Sequence, residues 1–196
     1  MRLKEIKKIK WVSKRLGPDT FKGYSQVAET GELIGEVGDF NIYRTKERTG
    51  GYELAIIVTT QEGKPVGAVY LAKDKRFKAK KAYTTAVEFL PEVQGMGLAP
   101  EVYRFLVRDW KYILVSDDYQ SAGGQSIWRR LAAYPDIDLF AYRKPEGKKP
   151  QYSSVDVNDL NDLEGVFDVY PDPHADEEEA EFAESDTWLI ASAKKR

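Results

Sequence analysis

The sequence predicts a mixed α/β (α+β) domain built on a largely antiparallel sheet with flanking helices. Three observations predict it. Four runs with strand patterning follow one another between residues 40 and 90, joined by turn signals too short for helical crossovers. After residue 90 the rhythm changes to helix, strand, helix, strand. The two regimes meet at a glycine-containing turn, Gln94-Gly95-Met96-Gly97-Leu98-Ala99.

The elements can be justified in order. Residues 1–36 read weakly. Leu3, Ile6 and Ile9 have helical spacing, Gly17-Pro18-Asp19 breaks the run, and a short amphipathic segment follows over 20–35. Phe40-Asn41-Ile42-Tyr43 alternates as a strand, and Thr49-Gly50-Gly51 turns it. Tyr52 to Thr60 is rich in β-branched residues, Gln61 to Pro65 is a hairpin loop, and Val66 to Ala72 is the return strand. A strand ending at Leu90 precedes the glycine turn. Val102, Phe105 and Leu106 mark a helix face, Tyr112 to Val115 a short buried strand, and Gly124 to Tyr134 a second helix with Ile127, Trp128 and Leu131 inward. Ile137 to Tyr142 and Thr187 to Ala191 close the pattern as strands. The chain divides into a basic N-terminal extension (1–37), a core (38–143 with 187–193) and an acidic insertion (144–186).

Composition removes several chemistries. The 196 residues contain no cysteine, so disulfides, thiolate nucleophiles and Cys-ligated zinc are excluded. The single histidine, His174, lies in an acidic, proline-flanked stretch that suits a solvated loop, and no metal site is expected. No apolar run has spanning length and Met1 to Lys10 is too charged for a signal segment, so a soluble, cytoplasmic protein is expected, with no membrane partner. The net charge of −2 hides segregation. Basic blocks lie at 1–15 and 73–81, whereas 151–186 has no Lys or Arg. The basic blocks leave a nucleic-acid partner open, although net acidity opposes simple coating of a duplex. Solvated loops of opposite sign explain the same segregation. The oligomeric state is not readable.

The glycine turn carries the functional signal. The first N–H groups of a helix lack carbonyl partners, the helix dipole favours negative charge there, and glycine admits a phosphate close to the backbone. No Gly-Lys-Ser/Thr follows, so it is not a P-loop, and the third glycine of a dinucleotide fingerprint is absent. A glycine-rich connection that binds nothing has the same letters.

Gln94-x-x-Gly97-x-Ala99 after a strand, with Pro91 before it, resembles the acetyl-CoA pyrophosphate loop of the GNAT N-acetyltransferase superfamily. The resemblance covers about residues 52–142 and 187–192. It implies a GNAT-like mixed sheet whose central strand pair splays apart. It implies acetyl-CoA as co-substrate, Phe89 and Leu90 pairing with pantetheine, and Gln94, Gly95, Met96, Gly97, Leu98 and Ala99 holding the pyrophosphate. The acceptor would be an amine on a small molecule or a protein. The stretch Ser116 to Leu131 also resembles GNAT-like proteins of bacteriophages, which would allow a host-cytoplasmic or virion setting. Where many family members carry Asn-x-x-Ala-x-x-Leu-Tyr, this chain has Ser121-x-x-Gly124-x-x-Ile127-Trp128. The family tyrosine often protonates the leaving thiolate, and an indole cannot. Tyr119 or Tyr134 are candidate substitutes. The connection between the first two core strands is also too short for the family's substrate-clasping helices. These departures suit a GNAT-fold binding protein without catalysis.

For an active transferase, Glu88 is the candidate base. It sits on the strand beside the cofactor wedge, with Val87 and Phe89 expected on the opposite face. A glutamate paired with an exposed lysine explains it equally. Asp117 and Asp118 suit a cationic acceptor or a turn cap. Arg129 and Arg130 suit CoA phosphates or a solvated helix face.

Overall fold

The computed structural model describes residues 21–46, 52–77, 79–117, 122–143, 151–155 and 187–194. Their fold is mixed α+β. A nine-stranded sheet runs in the order β1-β2-β3-β4-β5-β6-β9-β7-β8. The strands are β1 (Glu32–Val37), β2 (Phe40–Lys46), β3 (Leu54–Thr59), β4 (Pro65–Lys73), β5 (Ala82–Phe89), β6 (Ile113–Val115), β7 (Ile137–Arg143), β8 (Gln151–Ser154) and β9 (Thr187–Ala193). Three α-helices accompany them: the short α1 (Val27–Thr30), α2 (Leu98–Arg108) and α3 (Ala122–Ala132). Every neighbouring pair is antiparallel except β5 and β6, which are parallel.

The two faces of the sheet are covered differently. α2 and α3 bury Val102, Tyr103, Leu106, Val107, Ile127, Trp128 and Leu131 against Ile56, Val69, Leu71, Phe89, Leu114 and Leu189. This follows from the spacing of apolar residues on α2, which puts one stripe against the sheet. On the other face, Phe21 and Val27 pack on Tyr43, Ala55, Ile57, Ala68 and Leu90. Beside them Val115, Tyr142 and Ile190 form a third cluster, flanked by Phe77, Phe140 and Trp188.

β5 is the element that places the site. At one end Asp74 donates its N–H to Ala82 O at 3.0 Å, and at the other Leu90 donates to Val66 O at 2.9 Å. With the register between them, Ala82, Thr84, Ala86 and Glu88 therefore bond back to β4. The backbone groups of Tyr83, Thr85, Val87 and Phe89 point the other way, toward β6. β6 meets Tyr83 and the N–H of Thr85, because its pairing with β5 covers Ala82 to Thr84 and ends with the Thr84–Val115 bridge. β6 ends there, so beyond Thr85 the β5 backbone has no strand neighbour on that side among the described residues.

Two strands fall where other structure was expected. β1 lies within the segment assigned to the N-terminal extension, and β8 within the segment assigned to the acidic insertion. The rest of both segments, with His174 and the acidic run at 176–181, lies mostly outside the described residues.

Candidate functional site

The glycine turn connects β5 to α2. Gln94 has φ −66° and ψ 145° and Gly95 has φ +79°, the pattern of a type II turn. Gly97 then caps α2 in the left-handed region at φ +79°, ψ 9°, a conformation that costs other residues about 1–2 kcal/mol. Gln94 folds its amide back, donating from Nε2 to Phe89 O at 2.7 Å. Among the described residues, the N–H groups of Gly95, Met96, Gly97, Leu98 and Ala99 donate to no backbone carbonyl. The first carbonyl engaged by α2 is that of Gly97, which accepts from Glu101 at 3.4 Å. The turn is thus a concave set of free donors at the positive end of a helix. Met96 projects from it, 64% exposed.

A cation stands at this turn. Were Gly97 to carry a Cβ, that atom would lie 2.5 Å from Nη1 of Arg130 on α3. Arg104 takes the nearby carboxylates of Asp136, at 3.0 Å, and Glu101, at 3.6 Å. Arg130 has no carboxylate partner among the described residues. The packing of α3 on α2 brings it to Gly97. Periodicity along α3 alone could not have shown this.

The wedge between β5 and β6 begins at Thr85. Its hydroxyl donates to Val115 O at 3.4 Å, immediately after the last paired residues. Phe89, at the far end, lays its ring so close over Gly67 that no side chain would fit there. Leu90 is buried, and its N–H is committed to Val66 O. The backbone groups left facing that side are the Thr85 carbonyl, both groups of Val87 and the Phe89 N–H, since the Phe89 carbonyl accepts from Gln94 and the Thr85 N–H belongs to the β6 ladder. Phe89 is where the sequence put a pantetheine contact, whereas the Leu90 N–H faces β4.

Glu88 sits on the sheet face away from α2 and α3. Burial raises its carboxyl above the usual carboxylate range, and a hydrogen bond with Tyr70 partly offsets this. The Tyr70 and Tyr52 rings are 5.5 Å apart. Burial pushes the Tyr52 phenol up to about 12, with the charges of Asp117 and Glu88 adding to the rise. Glu88, Tyr70, Tyr52 and Asp117 therefore share one electrostatic neighbourhood. No lysine pairs with Glu88 among the described residues.

Trp128 is buried, 3% exposed, and stacks edge-on against Tyr103 at 5.9 Å. Tyr134 donates to Glu101 Oε1 at 2.7 Å, which ties it to the first turn of α2 and away from the vertex of the wedge. Tyr119, Asp118 and Ser121 lie outside the described residues. Among the described residues, no group of three or more His, Asp or Glu could hold a metal ion. No helix among them is long and apolar enough to cross a membrane.

No family model matches the chain, and no curated protein does. Among solved structures it is similar to a protein from Bacteroides thetaiotaomicron described as an acetyltransferase of the GNAT family. The two are 12% identical with a TM-score of 0.35, over 76% of this chain and 66% of the other. The chain thus spans just under two thirds of that protein's length.

Proposed function

We propose that the protein is a GNAT-like N-acyltransferase that moves an acetyl group from acetyl-CoA to an amine. The observation that carries this reading is the end of the β5–β6 pairing at Thr84 and Val115, after which β5 runs on without a neighbour on that side and leads into the free donors at 95–99. A wedge with unpaired backbone groups suits an extended amide-bearing arm, and a dipole-positive glycine turn suits a diphosphate. These residues fit CoA. The N–H groups of Gly95, Met96, Gly97, Leu98 and Ala99 would hold the pyrophosphate, and Arg130 would supply the positive charge that Gln94 cannot. Val87 and the N–H of Phe89 would pair with the pantetheine amides, the Phe89 carbonyl being held by Gln94.

The chemistry then divides across β5. An ammonium acceptor must lose a proton before it can attack the acyl carbon. Glu88 faces the side of the sheet away from α2 and α3, where Tyr52, Tyr70 and Asp117 would steady a cation. Its raised pKa suits a base that works near neutrality. Tyr119 remains a proposed contributor from the segment after β6. On this reading residues 1–37 and 144–186 are additions to a core of 38–143 and 187–193. A cytoplasmic or virion setting goes with the resemblance to bacteriophage proteins.

The buried Trp128 favours a second reading, a GNAT-fold binding protein without turnover. Calorimetric titration with acetyl-CoA and CoA, followed by an acetylation assay over small amines and lysine peptides, decides between them. Tight binding and turnover support the transferase. Binding without turnover on any amine supports the second reading, and absence of CoA binding rejects both.

A further inference from the structure

The loop from β4 to β5 carries cations that acyl transfer leaves without a role: Lys73, Lys75, Arg76, Lys80 and Lys81. It stands at the Ala82 end of β5, whereas the glycine turn follows the Phe89 end, about 23 Å along the strand at a rise of ~3.3 Å per residue. Side chains fix the loop from both faces of the sheet. On the side of α2, Lys73 Nζ donates to Ala79 O at 2.8 Å and lies over the Tyr83 ring at 5.1 Å. Lys81 Nζ donates to Trp110 O at 2.8 Å and lies over the Tyr112 ring at 5.6 Å. On the opposite face, Arg76 takes both carboxylate oxygens of Asp74 and lies over the Trp188 ring at 4.3 Å, while Phe77 packs on Tyr142 at 5.2 Å. No carboxylate among the described residues pairs with Lys73, Lys75, Lys80 or Lys81. Lys75, Lys80 and Lys81 are exposed. The loop is thus held in one shape with its lysine charge uncompensated.

A row of rings borders it. Along β7 and β9, Leu139, Ala141, Leu189 and Ala191 enter the helical core, and the alternate residues Phe140, Tyr142, Trp188 and Ile190 take the other face. Tyr142 stands opposite Trp188 on β9 and Tyr152 on β8. The ring centroids are 5.7 Å and 5.1 Å apart. Tyr152, on the edge strand, is 61% exposed. The row therefore runs from an open ring at the sheet edge to the Arg76 guanidinium at the basic loop. Open rings beside uncompensated cations suit unpaired nucleotides, whose bases stack on the rings while their phosphates meet the lysines. A duplex keeps its bases stacked on one another, and an acidic polypeptide brings charge without a planar group. We propose that this surface binds single-stranded nucleic acid, with a base on Tyr152 and phosphates at Lys75 and Lys80. Periodicity along the chain shows the charge at 73–81 but not the rings, which the sheet order brings beside it from residues 142, 152 and 188.

The test is fluorescence anisotropy on the full chain without CoA, using labelled oligo-dT and oligo-U of about twelve nucleotides, within the span of such sites. At least one strand should bind, its log affinity falling against log salt by about 0.7 for each phosphate engaged. Lys75→Ala combined with Lys80→Ala should flatten that slope by about 1.4. Tyr152→Ala removes an exposed ring and leaves the core intact. It should weaken binding about tenfold at an unchanged slope, and Tyr152→Phe should restore the native affinity. A duplex of the same length and polyglutamate should compete poorly. Absence of binding to both strands at low salt would overturn the proposal, as would native affinity in Tyr152→Ala or an unchanged slope in the lysine pair. Equal competition by duplex would also overturn it. Equal competition by polyglutamate would assign the surface to an acidic polypeptide instead. None of these outcomes bears on the transferase reading, which rests on CoA binding measured separately.

Discussion

Gly97→Glu should separate the CoA site from the fold. Two effects act, with different sizes. The backbone at Gly97 has φ +79°, so any side chain there costs about 1–2 kcal/mol. Its Cβ would also stand 2.5 Å from Nη1 of Arg130, the far end of a flexible side chain that can swing aside. The stability loss should therefore stay near the backbone term, about 2–4 °C in melting temperature for each kcal/mol in a chain of this size. The effect on binding is larger. The new carboxylate would pair with Arg130 and stand in the cradle. At about 4 Å from a phosphate, two unit charges repel by about 4 kcal/mol at an effective dielectric of 20, which alone weakens binding by about 10³-fold.

Calorimetry with acetyl-CoA, paired with a thermal melt, is the assay. Gly97→Ala is the control. It carries the same backbone cost without the charge, so its melt should match that of Gly97→Glu while its CoA affinity falls far less. Native affinity in a folded Gly97→Glu protein would refute the assignment of residues 95–99 and Arg130 to the pyrophosphate.

Other outcomes follow from buried groups. Burial acts on Asp74, but hydrogen bonds from the Arg76 side chain and N–H and from Thr84 hold its carboxyl below the usual range. Its stabilisation is present above the unfolded value of about 4 and is lost as pH falls through the folded one. Asp74→Asn should therefore cost about 1–3 kcal/mol at neutral pH, because Arg76 keeps partial solvent access, and denaturant melts of variant and native protein should converge in acid. Trp128→Phe should keep most turnover and an unchanged pH–rate profile, whereas Trp128→Ala should cost about 3–5 kcal/mol by leaving a cavity beside Tyr103. Glu88 has a raised folded pKa, so its contribution to stability is present at acid pH and fades as pH rises through that value. Glu88→Gln should then be more stable than the native protein at alkaline pH, with the gap closing in acid. Its rate should lose the rise with pH that titration of a base produces, and a full native pH–rate profile would remove Glu88 as the base.

The sheet was legible where strands bury one face or both. β3 reads as a buried strand because Ala55, Ile56, Ile57, Val58 and Thr59 are all enclosed. β1 was not legible. Its sequence Glu-Leu-Ile-Gly-Glu-Val carries two exposed acids, a glycine at a register shift, and Leu33 at 54% exposure. β8 is an exposed edge of Gln, Tyr and two serines, a pattern that a polar loop shares. The glycine turn was legible because backbone chemistry writes itself in glycine and proline. Arg130 at Gly97 was not, because the contact depends on how α3 packs on α2 and has no signature along the chain.

The placement of all these groups reduces to the register of β5. Odd positions give the wedge its backbone donors and acceptors and turn Val87 and Phe89 into the helical core, while even positions carry Glu88 to the opposite face. A slip of one residue would exchange the two sets. It would bury the Glu88 carboxylate under α2 and α3 and turn the free backbone groups back onto β4. The register is held at both ends by bonds outside the regular ladder, from Asp74 N–H to Ala82 O and from Leu90 N–H to Val66 O. The first belongs to a residue whose carboxylate is itself fixed by Arg76 and Thr84. The Asp74 network thus stands far from the glycine turn in sequence, yet it fixes which face of β5 meets each reactant. Loss of that network should therefore weaken CoA binding as well as stability, although none of its side chains is proposed to touch the ligand.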